Sequence, residues 1–496
     1  MSHVLESRSL NPSRLLLEET LFHCANGYLG VRGTFEEGYP DAWPSVRGSY
    51  VNAFYDTHAI VHPERLFGFP ETGEKIANVT DAQTIGLWAG GERVLAEPAR
   101  VRGYLRSLDI DRGTTRRSFV WRSSAGAELE VDIRRLVSLS TRELFAVEYR
   151  VAALGPGPAA GAQPAEPLEL ELVLELDGDV ENFFDPADPR VSGKAFKPLS
   201  VVASSCEERL GGGRLYVESR TAGSGLSLGV LSDFTCVGGR GLKVELRRGP
   251  GGAGARLRLG LGPGEEFRLT RMNVYADSAR HGRVAEAVLA IAAALEGRPF
   301  DALVADQERE LAAFWARAEV SIEGDPALDE GLRFNLYQLL QSAPTDGASS
   351  IPAKGLSGEG YEGHYFWDAE IYMLPFFCYT NPPLARGMLL YRHATLEGAR
   401  AHAREMGQKR GAAFPWRTIA GRECSAYYPS GSAQYHISAD VAYAVWRYYE
   451  ATDDLGFLVE AGAELLFETA RLWLELGHSS PEGFRIEAVT GPDEYT

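Results

Sequence analysis

Leu168–Leu176 reads LELELVLEL, with leucine at every even position and glutamate at three of the four odd ones. Successive side chains of a strand point to opposite faces, so this spacing predicts an antiparallel strand with one buried and one solvated face. Shorter runs of the same kind occur at Arg135–Ser140, Leu144–Val151, Arg214–Glu218 and Ala255–Leu261, and the glycine-rich stretches Gly211–Gly213 and Gly249–Gly254 read as turns between them. Many short strands broken by glycine predict a large sandwich over the first ~270 residues. Inside that region Gly155–Pro167 (GPGPAAGAQPAEP) has little to bury and is expected to be a mobile surface loop.

The pattern changes near residue 280. His281–Glu296 and Leu303–Val320 read as helices, with no strand signal after them. Pro326–Gln341, Pro383–Glu405, Ala433–Ala451 and Asp454–Leu476 follow, each with apolar residues three and four apart. In the last, Leu465, Leu466, Thr469, Leu472, Trp473 and Leu476 are expected to share one face. Long loops rich in glycine, proline and aromatics separate these helices, which suits an α/α toroid better than a bundle with short connections. The chain has 496 residues, too many for a single core, so a multidomain α+β protein is expected.

Hydrophobic residues make up 45% and charged residues 24%, the balance of a soluble globular protein. A net charge of −18 repels phosphate backbones and argues against a nucleic-acid partner. No stretch approaches the ~20 apolar residues of a membrane span, and the first residues lack the pattern of a signal peptide. Cys24, Cys206, Cys236, Cys378 and Cys424 are scattered without paired spacing. They read as reduced thiols of a cytoplasmic protein, and no metal site is expected.

Three segments carry candidate chemistry. Gly355–Pro375 (GLSGEGYEGHYFWDAEIYMLP) sets Tyr361, His364, Tyr365, Phe366 and Trp367 beside Glu359, Glu362, Asp368 and Glu370. Aromatic faces cover the C–H side of a pyranose and carboxylates accept from its hydroxyls, so this mixture suits a sugar site. The same run could also be a helix start with acidic first-turn residues. Phe414–Tyr428 (FPWRTIAGRECSAYY) offers Trp416, Arg417, Glu423, Tyr427 and Tyr428, as a second polar and aromatic wall or as an ordered surface loop. In Val489–Thr496 (VTGPDEYT), Gly-Pro sets a turn and presents Asp493 and Glu494. A glutamate facing an aromatic cavity has its charged form desolvated, which raises its pKa toward that of a general acid, whereas at a helix start it merely caps.

The run Gly358–Phe377 (GEGYEGHYFWDAEIYMLPFF), followed by VTGPDEYT, resembles glycoside hydrolase family 65, the maltose, trehalose, kojibiose and nigerose phosphorylases. Asn26–Gly33 (NGYLGVRG), Arg47–Asp56 (RGSYVNAFYD) and Tyr435–Asp454 (YHISADVAYAVWRYYEATDD) are similar to that family as well, in the same order along the chain. The resemblance implies an N-terminal β-supersandwich (residues 1–272), a helical linker (273–320) and the N-terminal part of an (α/α)6 catalytic barrel (321–496). It implies inverting phosphorolysis of an α-linked glucose disaccharide to β-glucose 1-phosphate and glucose. Glu494 is then the proton donor, and Trp367 and Asp368 hold the non-reducing glucose. His364, Trp416, Arg417 and Glu423 are further substrate-binding candidates, the last three on a loop, Arg410–Tyr428, that shapes the acceptor pocket. Inorganic phosphate is the co-substrate and no metal or organic cofactor is needed; a homodimer is one assembly the family shows. Maltose is the first substrate guess.

A twelve-helix barrel takes roughly 350 residues at ordinary helix and loop lengths, and about half that number follow residue 320. The family's phosphate-binding residues have no counterpart here, so the sequence reads as a fragment, with exposed apolar helix faces and poor solubility expected. Two other readings stand beside phosphorolysis. One is a trehalase-like hydrolase on the same scaffold, with a second carboxylate as base; the other is an inactive or non-catalytic sugar-binding protein.

Overall fold

The computed structural model describes residues 3–62, 67–154, 167–187, 195–425 and 431–492. Gly155–Pro167, except its last residue, lies outside them, as do Tyr427, Tyr428, Asp493 and Glu494. The chain divides into two compact units. The first holds residues 1–51, 78–184 and 195–313; the second holds 52–77, 185–194 and 314–496. The stretch 273–320 divides between them, and residues 52–77 belong with the helices.

Two antiparallel sheets make the sandwich of the first unit. Nine strands form one sheet, in the spatial order Val4–Ser7, Val101–Asp109, Thr114–Arg122, Glu128–Val137, Leu144–Leu154, Glu266–Asp277, Ser227–Gly238, Gly212–Thr221, Leu199–Arg209. Five form the other, in the order Arg240–Gly249, Gly252–Leu261, Leu168–Asp177, Ile85–Ala89, Glu92–Arg93. The LELELVLEL strand behaves as its alternation requires. Leu170, Leu172, Leu174 and Leu176 are buried, and Glu171 stays half-exposed, where its Oε2 accepts from Arg258 on the paired strand (2.9 Å). Strands Leu199–Arg209 and Gly212–Thr221 pack against Arg240–Gly249 and Gly252–Leu261, bringing the sheets face to face. Fully buried Arg271 ties the layers together. It donates to Ser232 Oγ (2.7 Å) and to the carbonyls of Thr84 (3.1 Å) and Glu175 (2.5 Å), and burial pulls its pKa down to about 10. Each glycine run expected as a turn holds one, at Leu210–Gly211 and Pro250–Gly251, and continues into the next strand: Gly212 sits where a Cβ would collide with the Phe234 carbonyl oxygen on the neighbouring strand.

Helix Val284–Leu295 packs Val288, Ala292 and Leu295 on Leu231, Val274 and Ala276 of the nine-stranded sheet. In the second unit, Pro326–Ser342, His436–Thr452 and Ala463–Leu476 are helical close to expectation. Pro383–Glu405 is instead two helices, Pro382–Ala394 and Leu396–Glu405, broken at Thr395, whose hydroxyl donates to the Tyr391 carbonyl (3.0 Å). Asp454–Leu476 is interrupted by a π-helical turn, Leu458–Gly462. A short hairpin, His478–Ser480 with Gly483–Arg485, follows the helices where no strand was expected. In Ala463–Leu476 the predicted face holds: Leu465, Thr469 and Leu472 are buried, and Leu466, Trp473 and Leu476 half-buried. The five cysteine thiols are free. Among the described residues no helix is long and apolar enough to cross a membrane.

Candidate active site

Two unusual backbone features frame the aromatic run after Gly355. Tyr361 and Glu362 take left-handed φ of 55° and 58°, a region that costs energy for residues with a Cβ. Beyond Trp367 and Asp368 the chain enters a π-helical turn, Ala369–Met373. Such turns recur at functional sites. What holds them is buried polar bonding. Tyr365 donates its N–H to the Thr418 carbonyl (2.8 Å) and its hydroxyl to Asn52 Oδ1 (2.5 Å). Arg392 grips Glu370 with two bonds of 2.7 Å and reaches the Phe366 carbonyl (3.4 Å), both side chains fully buried. A pair out of water is stable only with such two-pronged geometry, so it fixes the backbone on both sides of Trp367.

Trp367 and Asp368 line a cavity of about 430 Å³, together with Lys354, Tyr361, Trp416 and Pro492. That size falls within the ~300–1,000 Å³ of small-molecule sites. The indole of Trp367 meets His436 edge-on at 5.2 Å, and His436 lies between Asp440 Oδ2 (2.7 Å) and Gln434 Oε1 (2.9 Å). Phe366 stands edge-on between Tyr361 and Trp416, each 5.7 Å away. Among the described residues the cavity therefore offers aromatic faces, one exposed carboxylate, Asp368, and one exposed ammonium, Lys354. That is a surface for a neutral polyhydroxy ring beside an anion.

The structure brings Trp367, Asp368 and Trp416 to one cavity and leaves His364, Arg417 and Glu423 outside its lining, while Glu494 lies outside the described residues. His364 is fully buried. Desolvation, reinforced by the Arg417 charge, holds its pKa well below the ordinary histidine range. The neutral ring accepts from Arg417 Nε at Nδ1 (3.1 Å) and donates from Nε2 to the Glu74 carbonyl (2.6 Å). It orients Arg417 and does not itself line the cavity. Arg417 Nη2 in turn donates to the Tyr361 carbonyl (3.4 Å) and pairs with Glu362 (3.5 Å). Glu423 is buried too, its pKa raised by desolvation. Its oxygens accept from the N–H groups of Trp416 (2.6 Å) and Ser425 (2.7 Å), closing the loop on itself. It borders a second hollow of about 850 Å³, with Phe67, Pro70, His402, Glu405 and Arg422. Of the acidic residues in the aromatic run, only Asp368 lines the first cavity; Glu359 pairs with Lys75 (3.4 Å), Glu362 with Arg417 and Glu370 with Arg392. Residues missed by the sequence reasoning, Asn52, Glu74 and Arg392, shape the site from a distance. Only the run Arg47–Asp56, which contains Asn52, carried any signal.

Family models match both parts of the chain, and a solved structure shares its fold. The N-terminal domain of glycosyl hydrolase family 65 matches residues 5–314, and the family's central catalytic domain matches residues 333–496. The chain is 45% identical to an α,α-trehalose phosphorylase of Geobacillus stearothermophilus, over 100% of this chain and 63% of the relative. It is 41% identical to an α,α-trehalose phosphorylase of Thermoanaerobacter brockii, over 96% and 61%. A solved structure named as a candidate kojibiose phosphorylase from the human microbiome superimposes with a TM-score of 0.87 at 23% identity, covering 99% of this chain and 62% of the other. The chain thus spans about six-tenths of the length of the relatives it matches.

Proposed function

The chain belongs to glycosyl hydrolase family 65, and from that premise we propose that the protein phosphorolyses an α-linked glucose disaccharide with inversion, releasing β-glucose 1-phosphate and glucose. The names of the two trehalose phosphorylases put α,α-trehalose ahead of maltose as the disaccharide. In this reading the helices of the second unit contribute to an (α/α)6 barrel. Glu494 protonates the leaving glycosidic oxygen while phosphate attacks the opposite face of the anomeric carbon. The nucleophile is already anionic, so one catalytic carboxylate suffices where hydrolysis needs a second to activate water. Trp367 covers the glucose ring and Asp368 accepts from its hydroxyls. Trp416 faces the acceptor sugar, Arg417 borders it, and His364 and Glu423 keep that wall in place. No metal or organic cofactor takes part.

One observation carries the proposal: Pro492, two residues before Glu494, lines the same cavity as Trp367 and Asp368. The test uses the whole protein, incubated with α,α-trehalose with and without inorganic phosphate. β-Glucose 1-phosphate that forms only with phosphate, and a Glu494→Gln variant slower by about 10²-fold or more, are the expected results. Glucose release that does not need phosphate makes the protein a hydrolase. Sugar binding without turnover makes it a binding protein.

A further inference from the structure

One strand residue holds two separate loops. Glu74, on Thr72–Asn78, is buried to 2% exposure and bonds in two directions. Its Oε2 accepts from the N–H groups of Ile419 (2.7 Å) and Ala420 (2.8 Å), the turn just after Trp416 and Arg417. Its main-chain carbonyl accepts from His364 Nε2, and His364 Nδ1 accepts from Arg417 Nε. Neighbouring contacts reinforce the join. Tyr391 donates to the Ile419 carbonyl (2.8 Å), and Gly363 sits where a Cβ would come within 2.5 Å of Ile76. Thus the carboxylate sets the backbone that carries Arg417, and the carbonyl sets the imidazole that aims its guanidinium.

We propose that Glu74 is a positioning residue for the acceptor side of the site, fixing Trp416 and Arg417 so that one glucose orientation, and hence one glycosidic linkage, is accepted. This rests on the phosphorolysis reading above. Glu74 lines neither the Trp367–Asp368 cavity nor any reacting group, so its removal acts on the acceptor and spares the donor. By contrast, Trp367 and Asp368 are held by the separate Glu370–Arg392 pair.

The experiment runs the whole protein in the synthetic direction, from β-glucose 1-phosphate and glucose, comparing wild type, Glu74→Ala and Glu74→Gln. Loss of two buried hydrogen bonds should raise the KM for glucose about 10-fold in Glu74→Ala, while the KM for β-glucose 1-phosphate moves less than about 2-fold. The variant should also yield disaccharides of more than one linkage. Glu74→Gln keeps an oxygen acceptor and should restore the wild-type acceptor KM. In parallel, amide exchange at Ile419 and Ala420 should quicken about 10-fold in Glu74→Ala and stay slow in Glu74→Gln. Equal shifts in both KM values, an unchanged acceptor KM or unchanged exchange at these amides overturns the proposal. If the wild type makes no disaccharide, the phosphorolysis reading falls, and the amide exchange still decides whether Glu74 holds the loop. If Glu74→Ala does not fold, Glu74→Asp, one methylene too short to reach both N–H groups, is judged by the same KM split, and an unchanged acceptor KM there overturns the idea.

Discussion

Arg392 and Glu370 show how much one buried ion pair is asked to do. Each would be an uncompensated charge in a dry interior without the other, so Arg392→Met should cost about 3–5 kcal/mol, read from the denaturant midpoint. The double variant Glu370→Met with Arg392→Leu removes both charges and should be clearly more stable than the single one. A double variant as unstable as Arg392→Met would mean that the pair is not what holds the Trp367 turn. At this scale the sequence was legible in kind but not in role. The mixture of aromatics and acids from Gly355 marked the site, yet the partners of Glu359, Glu362 and Glu370 are Lys75, Arg417 and Arg392. No local spacing links residues so far apart in the chain, so an acid that binds sugar and one that neutralises a buried cation look alike. His364 illustrates the same ambiguity: a histidine in an aromatic run suggests a sugar contact, and in the structure it is buried and bonded to Arg417 and the Glu74 carbonyl.

Among elements, strand Leu168–Asp177 shows where periodicity translates into energy. Leu172 is fully buried, opposite Leu257 on one neighbouring strand and Leu87 on the other. Leu172→Ala should destabilise the sandwich by about 2–5 kcal/mol, transfer and cavity costs together. Glu171→Ala removes only partly exposed ion pairs with Arg256 and Arg258 and should change stability by about 0.5 kcal/mol or less. Comparable losses in the two variants, measured by thermal unfolding, would contradict the two-faced strand. One strand with a weaker contrast went unread. In Arg240–Gly249 (RGLKVELRRG) Leu242, Val244 and Leu246 alternate with Lys243, Glu245 and Arg247, but the run is short, and at this sheet edge none of its residues is buried while its charges discourage edge-to-edge pairing. The break at Thr395 and the π turn at Leu458–Gly462 were invisible for the opposite reason: the apolar stripe continues across both, so the pattern reads as one uninterrupted helix.

For the molecule as a whole, the helical unit leaves large apolar side chains in solvent. Tyr443 and Trp446 on His436–Thr452, and Phe467 and Leu474 on Ala463–Leu476, are each about half-exposed or more. Apolar surface of this kind drives association. The 496-residue polypeptide should therefore sediment as concentration-dependent oligomers, and Trp446→Lys with Phe467→Glu should shift it toward monomer. A wild-type monomer at every concentration tested would remove that argument. The change from strands to helices near residue 280 was plain in the sequence, because periods of 2.0 and 3.6 are hard to confuse over long runs. That residues 52–77 join the helices was not, since their alternation is that of any hairpin and membership of a unit depends on distant partners. The hairpin's place in the chain sets a timetable for synthesis. Glu74 and Ala420 are 346 residues apart, so at about 5–20 residues per second the carboxylate leaves the ribosome roughly 17–70 s before the amide it will accept from. During that wait water must satisfy its oxygens, and the nascent loop of Ile419 and Ala420 closes onto a strand already made.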